Sequence, residues 1–177
     1  MAQPYFNIDA FRQNFDGGAK SYLFHITPSF PSSVLSGDVN SISYLVKTST
    51  LPVTTIEEIT TTWQGFDYKQ AGKRTYSTWD ITYRVDKASV IRLAYESWLS
   101  LIHDPETNIY SAPSSYMVEQ SIELLNDSGD VTCTYDLIGA WPSNMSEIAL
   151  DYEGTDIAEF TVTYTYQYHT VQVGSKG

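Results

Sequence analysis

The chain has 177 residues, with 10 Lys plus Arg against 21 Asp plus Glu and a formal net charge of −11. This length suits one domain, or one domain with arms, and 14% aromatic residues exclude a disordered acidic tail. No run reaches the roughly 18 apolar residues of a transmembrane helix. The N-terminal residues lack the pattern of a signal peptide, so we expect synthesis in the cytosol.

Charge is distributed unevenly along the chain. Residues 1–92 hold nine bases and eight acids, whereas residues 93–177 hold thirteen acids and a single base, Lys176. A surface so poor in positive charge repels phosphate, which argues against tight nucleic-acid binding but leaves passage of DNA beside the protein open.

The first twenty residues predict an N-terminal arm, residues 21–173 a β domain and residues 174–177 a short tail. Alternating apolar residues and β-branched residues predict strands in the first half of the domain. Pro28, Pro31 and the polar run after them interrupt regular structure. The predicted strands are Tyr22–Phe30, Ile42–Lys47, Thr54–Trp63 and Tyr76–Val85, the last with Trp79, Ile81, Tyr83 and Val85 on one face.

One amphipathic helix is predicted after Asp86, which is a suitable N-cap. Its apolar stripe recurs at helical spacing, and Pro105 prevents continuation beyond His103–Asp104. The stripe comprises Val90, Ala94, Trp98 and Leu101, widened by Ile91 and Ile102.

The second half of the domain returns to β structure. Val118–Leu125 and Val131–Ile138 flank a turn at Asn126–Asp130 and predict a hairpin. The segment Ile148–Tyr152 precedes a long strand, Glu159–Val173. Strands, one helix and further strands predict a mainly β fold: an antiparallel sandwich or barrel with one packed helix.

Patterns typical of enzymes are missing. The histidines, His25, His103 and His169, show no metal-ligand spacing, and no phosphate-binding or nucleophile motif occurs. Cys133, the single cysteine, cannot form an internal disulfide and suits a core position. The Asn126–Asp130 turn lacks the glutamate of a calcium loop. We expect no catalytic residue, metal or cofactor.

The segment Tyr68–Arg74 gathers three of the ten bases, Lys69, Lys73 and Arg74. It is interpreted either as a solvated turn or as an electrostatic contact with acidic groups on a neighbouring copy of the chain. The acidic second half of the chain favours the second interpretation.

Each of three predicted strands has one apolar face and one face of Thr and acidic residues, and the second face carries no base. The simple interpretation is a sheet with one solvated side, and the more specific one is the wall of an acidic channel. The candidate channel-lining residues are Glu119, Glu123, Asp130, Asp136 and Glu159.

The final strand contains no Lys, Arg, Asp, Glu, Pro or Gly from Phe160 to Val173. Edge strands normally carry such residues as protection, so this strand is either central in its sheet or paired with a neighbouring subunit. We predict pairing across subunits here and at Thr54–Trp63. The predicted inter-subunit contacts are Ile56, Ile59, Lys69, Lys73, Arg74, Tyr164 and Tyr166.

A family signature covers residues 20–170. Leu51-Pro52, Ile56–Ile59, Gly65, Ala71-Gly72-Lys73-Arg74-Thr75-Tyr76 and Trp79 resemble the tail tube proteins of contractile-tailed bacteriophages. The helix with Trp98, the Gly139–Asn144 segment with Trp141-Pro142, Ile148–Tyr152 and the last strand are similar to the rest of that family.

The resemblance implies a structural protein of the virion tail. Hexameric rings would stack into an inner tube, each subunit giving strands to a ring-wide β-barrel around a channel for DNA. Its partners would be other copies, an outer sheath, and the baseplate or tube initiator and tail terminator at the ends, without membrane insertion.

Three other functions fit the same residues less well. A tube initiator or baseplate-hub paralogue, present in six copies, would share the fold, as would the tube of a non-viral injection system. A carbohydrate-binding β-sandwich would instead use Trp63, Trp141 or tyrosines as stacking platforms.

Overall fold

The structure, a computed structural model, describes residues 7–15, 17–35 and 40–174, so parts of the predicted arm and tail lie outside it. Antiparallel strands dominate, which confirms the predicted mainly β fold. The strands are β1 (Phe24–Thr27), β2 (Val46–Ser49), β3 (Thr54–Trp63), β4 (Phe66–Tyr76), β5 (Trp79–Arg84), β6 (His103–Asp104), β7 (Ile109–Tyr110), β8 (Val118–Leu125), β9 (Val131–Met145), β10 (Glu159–Thr165) and β11 (Tyr168–Val173).

The helices are α1 (Ile8–Phe15), α2 (Asn40–Ser43), α3 (Val90–Ile102) and α4 (Pro113–Tyr116). The predicted strand Ile42–Lys47 is wrong in its first half, where the chain forms the helical turn α2 before the short strand β2. The predicted strand Tyr22–Phe30 is reduced to its centre, β1, because Pro28 and Pro31 end it early.

Seven strands form the main sheet, in the order β1-β8-β9-β10-β5-β2, with β11 also paired to β9. The strand β9 holds the two halves of this sheet together. Its first half pairs with β8 and β11, and its last residues pair with β10. Gly139 lies at the change of partner with a φ of +64°, and a Cβ there would approach Gln167 Cγ to 3.0 Å. Glycine is therefore needed at this position for β9 to bend from one half of the sheet to the other.

The predicted final strand is broken at Tyr166 and Gln167 into β10 and β11. β10 lies between β9 and β5, so it is central in its sheet. β11 pairs with β9 on one side, and no described strand pairs with its other edge. The two interpretations of this segment therefore apply to different halves: the first half is interior, and the second has a free edge.

The core lies between the main sheet and α3. Trp79, Ile81 and Tyr83 of β5 are fully buried, as the alternation in the sequence predicts. On α3 the buried residues are Ile91, Ala94, Tyr95 and Trp98, whereas Val90 is about half exposed. The predicted apolar stripe therefore differs from the buried face of α3 by a small rotation about the helix axis. It includes Val90, which is half exposed, and omits Tyr95, which is buried.

Asp86 caps α3 from outside the helix. Its carboxylate accepts hydrogen bonds from the backbone N–H groups of Val90 (3.1 Å) and Ile91 (3.3 Å). The helix therefore begins at Val90, later than predicted, and it ends at Ile102 before Pro105.

Three buried tyrosines connect α3 to the sheet. Tyr95 Oη donates to Tyr83 Oη (2.8 Å) and lies 2.6 Å from Tyr164 Oη. Burial raises the pKa of all three hydroxyls above the ordinary value of 10.0. Inside the core, these hydroxyl groups keep their hydrogen bonds to each other only while they stay protonated.

We expect these tyrosines to make the protein sensitive to alkali. Their pKa is higher in the folded state than in the unfolded state, so their contribution is complete below pH 10 and is lost above it. The free energy of unfolding should fall by about 1.4 kcal/mol per tyrosine per pH unit above 10. Urea unfolding between pH 8 and 11 measures this slope, which Tyr83→Phe should reduce by one tyrosine's share. An unchanged free energy up to pH 11 would contradict the prediction.

Candidate assembly surfaces

The strands β3 and β4 form a long hairpin that sequence reasoning missed. They are joined by Gln64 and Gly65, both with positive φ (48° and 86°), which is the two-residue turn typical of tight hairpins. The interpretation of Tyr68–Arg74 as a solvated turn is therefore wrong, since these residues lie within β4, and the contact with a neighbouring copy stays a prediction. The dipeptide Gln64-Gly65 between two β-rich runs was the signal that could have revealed the hairpin.

The hairpin stands away from the main sheet, and every residue of β3 is exposed. On one face of the hairpin, polar side chains form hydrogen bonds with each other. Lys69 Nζ donates to the Glu58 carboxylate at 3.1 Å, and Thr62 donates to Asp67 at 2.7 Å. The opposite face is apolar and uncovered, with Trp63 68% and Phe66 78% exposed. By register this apolar face comprises Ile59, Trp63, Phe66 and Tyr68.

A bulge opposite Glu57 shapes the base of the hairpin. The pairing shifts between Ile56–Arg74 and Glu58–Ala71, which leaves an extra residue on β4. A Cβ on Gly72 would lie 2.9 Å from Ile59 Cγ1 and 3.0 Å from the Glu57 carbonyl oxygen. Glycine is therefore required here for the strands to approach each other.

The root of the hairpin contacts the start of β11. Tyr76 packs against Tyr166 and His169, and the His169 ring lies 3.4 Å from Thr54 Oγ1. Burial and the nearby Arg74 lower the pKa of His169. Neither Tyr166 Oη nor His169 Nδ1 has a hydrogen-bond partner within the described structure. This aromatic cluster fixes where the hairpin leaves the sheet.

Two predicted inter-subunit contacts are wrong. Tyr164 is fully buried and bonded to Tyr95, and Tyr166 is 6% exposed beneath the hairpin root. Both point into the subunit core because strand alternation places them with Phe160 and Val162. The other predicted contacts, Ile56, Ile59, Lys69, Lys73 and Arg74, lie on the exposed hairpin.

A polar face extends across β1, β8, β9 and β11. The register aligns His25, Glu123, Thr134 and Gln172 in one row. It aligns Thr27, Ser121, Asp136 and Thr170 in the next. Asp136 accepts hydrogen bonds from Ser121 (3.1 Å) and Gln172 (2.7 Å), and His25 lies 3.3 Å from Glu123.

Three of the five predicted acids share this polar face: Glu119, Glu123 and Asp136. Asp130 lies just outside it in the hairpin turn, where it is bonded to Asn126. Glu159 is separated from it, since it lies on β10 beyond the partner change of β9 and its carboxylate binds Lys47 at 2.6 Å. The prediction of one face for all five acids is therefore wrong for Glu159 and for Asp130, which lies at the rim of the face.

The family model for phage tail tube proteins matches residues 11–172. The tail tube protein of Serratia phage KSP90 is 30% identical over 153 residues, which cover 85% of this chain and 86% of the relative. The chain belongs to the phage tail tube protein family. Tail tube protein gp19 of Enterobacteria phage T4 is 25% identical over 91% of this chain and 98% of its own length. The predicted resemblance to contractile-tailed phages is confirmed.

Solved structures share the tail tube fold. A chain in the cryo-EM structure of the anti-feeding prophage baseplate superposes with a TM-score of 0.65 at 18% identity, covering 89% of this chain and 97% of that one. A chain of the extracellular contractile injection system PVC sheath-tube complex gives a TM-score of 0.58 at 14% identity, covering 91% and 97%.

Residues of the tail tube signature support the fold. Trp79 and Trp98 are fully buried, and their Nε1 groups donate to the carbonyls of Thr50 (2.8 Å) and Tyr116 (2.9 Å). Trp141 and Pro142 pair with β10. The remaining signature residues lie before or within the hairpin: Leu51, Pro52, Gly65, Ala71, Gly72, Arg74, Thr75 and Tyr76.

No helix among the described residues is long and apolar enough to cross a membrane. In the same part of the chain, no three His, Cys, Asp or Glu side chains are grouped to hold a metal ion.

Proposed function

We propose that copies of this chain form hexameric rings that stack into the inner tube of a contractile tail, through which DNA passes into the host. The observation that carries this proposal is the β3–β4 hairpin, whose apolar face has no cover within the described part of the subunit. Such a surface on a folded protein marks an interaction site. Membership of a structural tail tube family supports self-assembly rather than catalysis.

Ring closure uses the free edge of β11. This strand carries no Pro, Gly, Lys, Arg, Asp or Glu that would block pairing, and Val171 and Val173 are exposed along it. A strand of the neighbouring subunit, repeated around six copies, would close a β-barrel and leave no edge unpaired. Each ring contact should bury more than about 1,000 Å².

The hairpin base supplies polar contacts. Lys73 and Arg74 have no ion-pair partner among the described residues, unlike Lys69, which binds Glu58. They face acidic groups of a neighbouring copy, beside the apolar contacts of Ile56 and Ile59. Exposed ion pairs of this kind orient an interface more than they strengthen it.

The polar face of β1, β8, β9 and β11 lines the lumen in this proposal. It presents Glu119, Glu123 and Asp136, with Asp130 at its rim, and its one ionisable base, His25, lies beside Glu123. Carboxylates and hydroxyl groups stay hydrated and repel phosphate, so DNA passes without being held.

Partners lie outside and at the ends of the tube. Similar folds occur in structures described as a sheath-tube complex, a baseplate and a tube-terminating cap. By analogy, a sheath surrounds this tube in the virion tail, and an initiator and a terminator lie at its two ends.

Electron microscopy and mass measurement of the purified protein test the proposal. We expect ring-shaped particles of about 120 kDa, six copies of 19.9 kDa, and tubes of stacked rings. A 19.9 kDa species at every concentration, without rings or tubes, would refute the proposal.

A further inference from the structure

His169 lies in the aromatic cluster that joins the root of the hairpin to the main sheet. Its backbone pairs with Leu137 of β9, so its side chain shares the buried face of the sheet with Leu137 rather than the polar face with Thr170. The imidazole packs against Tyr76 of β4 with ring centroids 5.4 Å apart, and its Nε2 lies 3.4 Å from Thr54 Oγ1 of β3. One imidazole therefore contacts both strands of the hairpin where they leave the sheet.

The surroundings of this imidazole favour its neutral form. Its Nδ1 is buried, and neither it nor the buried Tyr166 Oη has a hydrogen-bond partner within the described part of the subunit. Burial and, to a smaller extent, the positive charge of Arg74 lower the pKa of His169 below the ordinary value of 6.5. A proton on Nδ1 would be a buried donor without an acceptor, and it would lie near a group of the same charge.

The groups around His169 do not compensate a positive charge. In the described part of the chain neither ring nitrogen contacts a carboxylate, since Nε2 meets Thr54 and Nδ1 has no partner. Glu58 is bound to Lys69 farther along the hairpin, and Asp136 lies on the opposite face of β9. The titratable groups that face the imidazole are one base and three phenols, Arg74, Tyr76, Tyr135 and Tyr166.

We propose that His169 makes the attachment of the β3–β4 hairpin to the sheet pH-dependent: the neutral imidazole holds the hairpin root in place, and its protonation releases the root. Release lets water solvate the imidazolium and separates it from Arg74. Because the attached root binds the proton less readily than the released root, attachment is complete above about pH 6.5 and weakens as the pH falls below that value. The released population should rise by up to about tenfold per pH unit in this window.

Hydrogen exchange of the dilute, unassembled subunit tests the proposal. A released two-stranded hairpin is only marginally stable in water, so its amides lose protection. Between about pH 7.5 and about pH 5, with the intrinsic pH dependence of exchange removed, we expect protection of the β3 and β4 amides to fall at least about fivefold more than that of β8 and β9. In His169→Gln this additional loss should vanish, whereas His103→Gln, which changes an exposed histidine bonded to Asn108, should retain it.

An NMR titration of the unmodified chain gives a second readout that does not depend on a variant. We expect the His169 ring to titrate with a midpoint below 6.5 and the hairpin amides to follow the same curve. A midpoint at or above 6.5, or an equal loss of protection in His169→Gln, would overturn the proposal. Where His169→Gln lacks hairpin protection at both pH values, the NMR midpoint decides.

The consequence for assembly rests on the proposed function. Tubes of the unmodified chain and of His103→Gln should dissociate as the pH falls below about 6.5, and tubes of His169→Gln should persist. Hairpin release by the subunit without tubes at any pH would refute the proposed function alone. Tubes from a chain whose hairpin shows no release in acid would refute the role of His169 alone.

Discussion

A chain with Trp63→Ser, Phe66→Ser and Tyr68→Ser should fold normally and fail to assemble. Each of these side chains contributes about 2 kcal/mol when its apolar surface is buried at an interface, so a contact loses about 6 kcal/mol, or more than a 10⁴-fold weakening. The subunit core loses nothing because all three residues are exposed on the free hairpin.

The measurements are electron microscopy for assembly and thermal unfolding for the subunit. We expect no tubes, and a free energy of unfolding within about 0.5 kcal/mol of the unmodified chain. A control with Tyr22→Ser, Tyr44→Ser and Ile109→Ser removes a comparable exposed apolar set elsewhere and should leave assembly intact. Normal tubes from the hairpin variant would show that its apolar face has no part in assembly.

Replacing Glu119 and Glu123 with lysine should leave tube formation intact and slow DNA ejection. The two positions lie on the polar face, and six copies would add twelve lysines to every ring of the proposed lumen. Lysines neutralise phosphates and release counterions, so DNA would be retained most strongly at low salt. We expect ejection at least about tenfold slower at low ionic strength, with recovery as salt rises.

Ejection from particles that carry the variant measures this effect. Glu119→Gln with Glu123→Gln removes the charge without adding bases and should have a much smaller effect. Glu96→Lys with Glu106→Lys applies the same charge change to exposed positions outside the polar face. An ejection rate unchanged at low salt in the Glu119 and Glu123 lysine variant would mean that charge on this face does not keep DNA moving.

Local patterns in the sequence were sufficient for several elements. The alternation of Trp79, Ile81 and Tyr83 predicted a buried strand face, because successive side chains on a strand point to opposite sides. The same alternation grouped Glu119, Glu123 and Asp136 on one polar face, and the register of β8 and β9 bears this out for Glu123 and Asp136. The family signature then identified the tail tube fold.

Tertiary structure decided which surfaces are free. The run Phe160–Val173 is uniform in sequence, yet β5 pairs only with its first half, β10. The second half, β11, therefore keeps an open edge. Tyr164 and Tyr166 are buried for the same reason, and Glu159 is separated from the other acids because β9 changes partner at Gly139. Which strands pair when they lie far apart in the chain depends on the whole sheet.

The sequence by itself determined the mainly β fold, the position of α3 within a few residues, the acidic polar face and the tail tube family. The hairpin β3–β4 and its uncovered apolar face required the tertiary structure. Periodicity reports which side chains share a face, but it does not report whether another part of the chain covers that face. Burial is a property of the packed fold, and it separates a core residue such as Tyr164 from an exposed one such as Phe66.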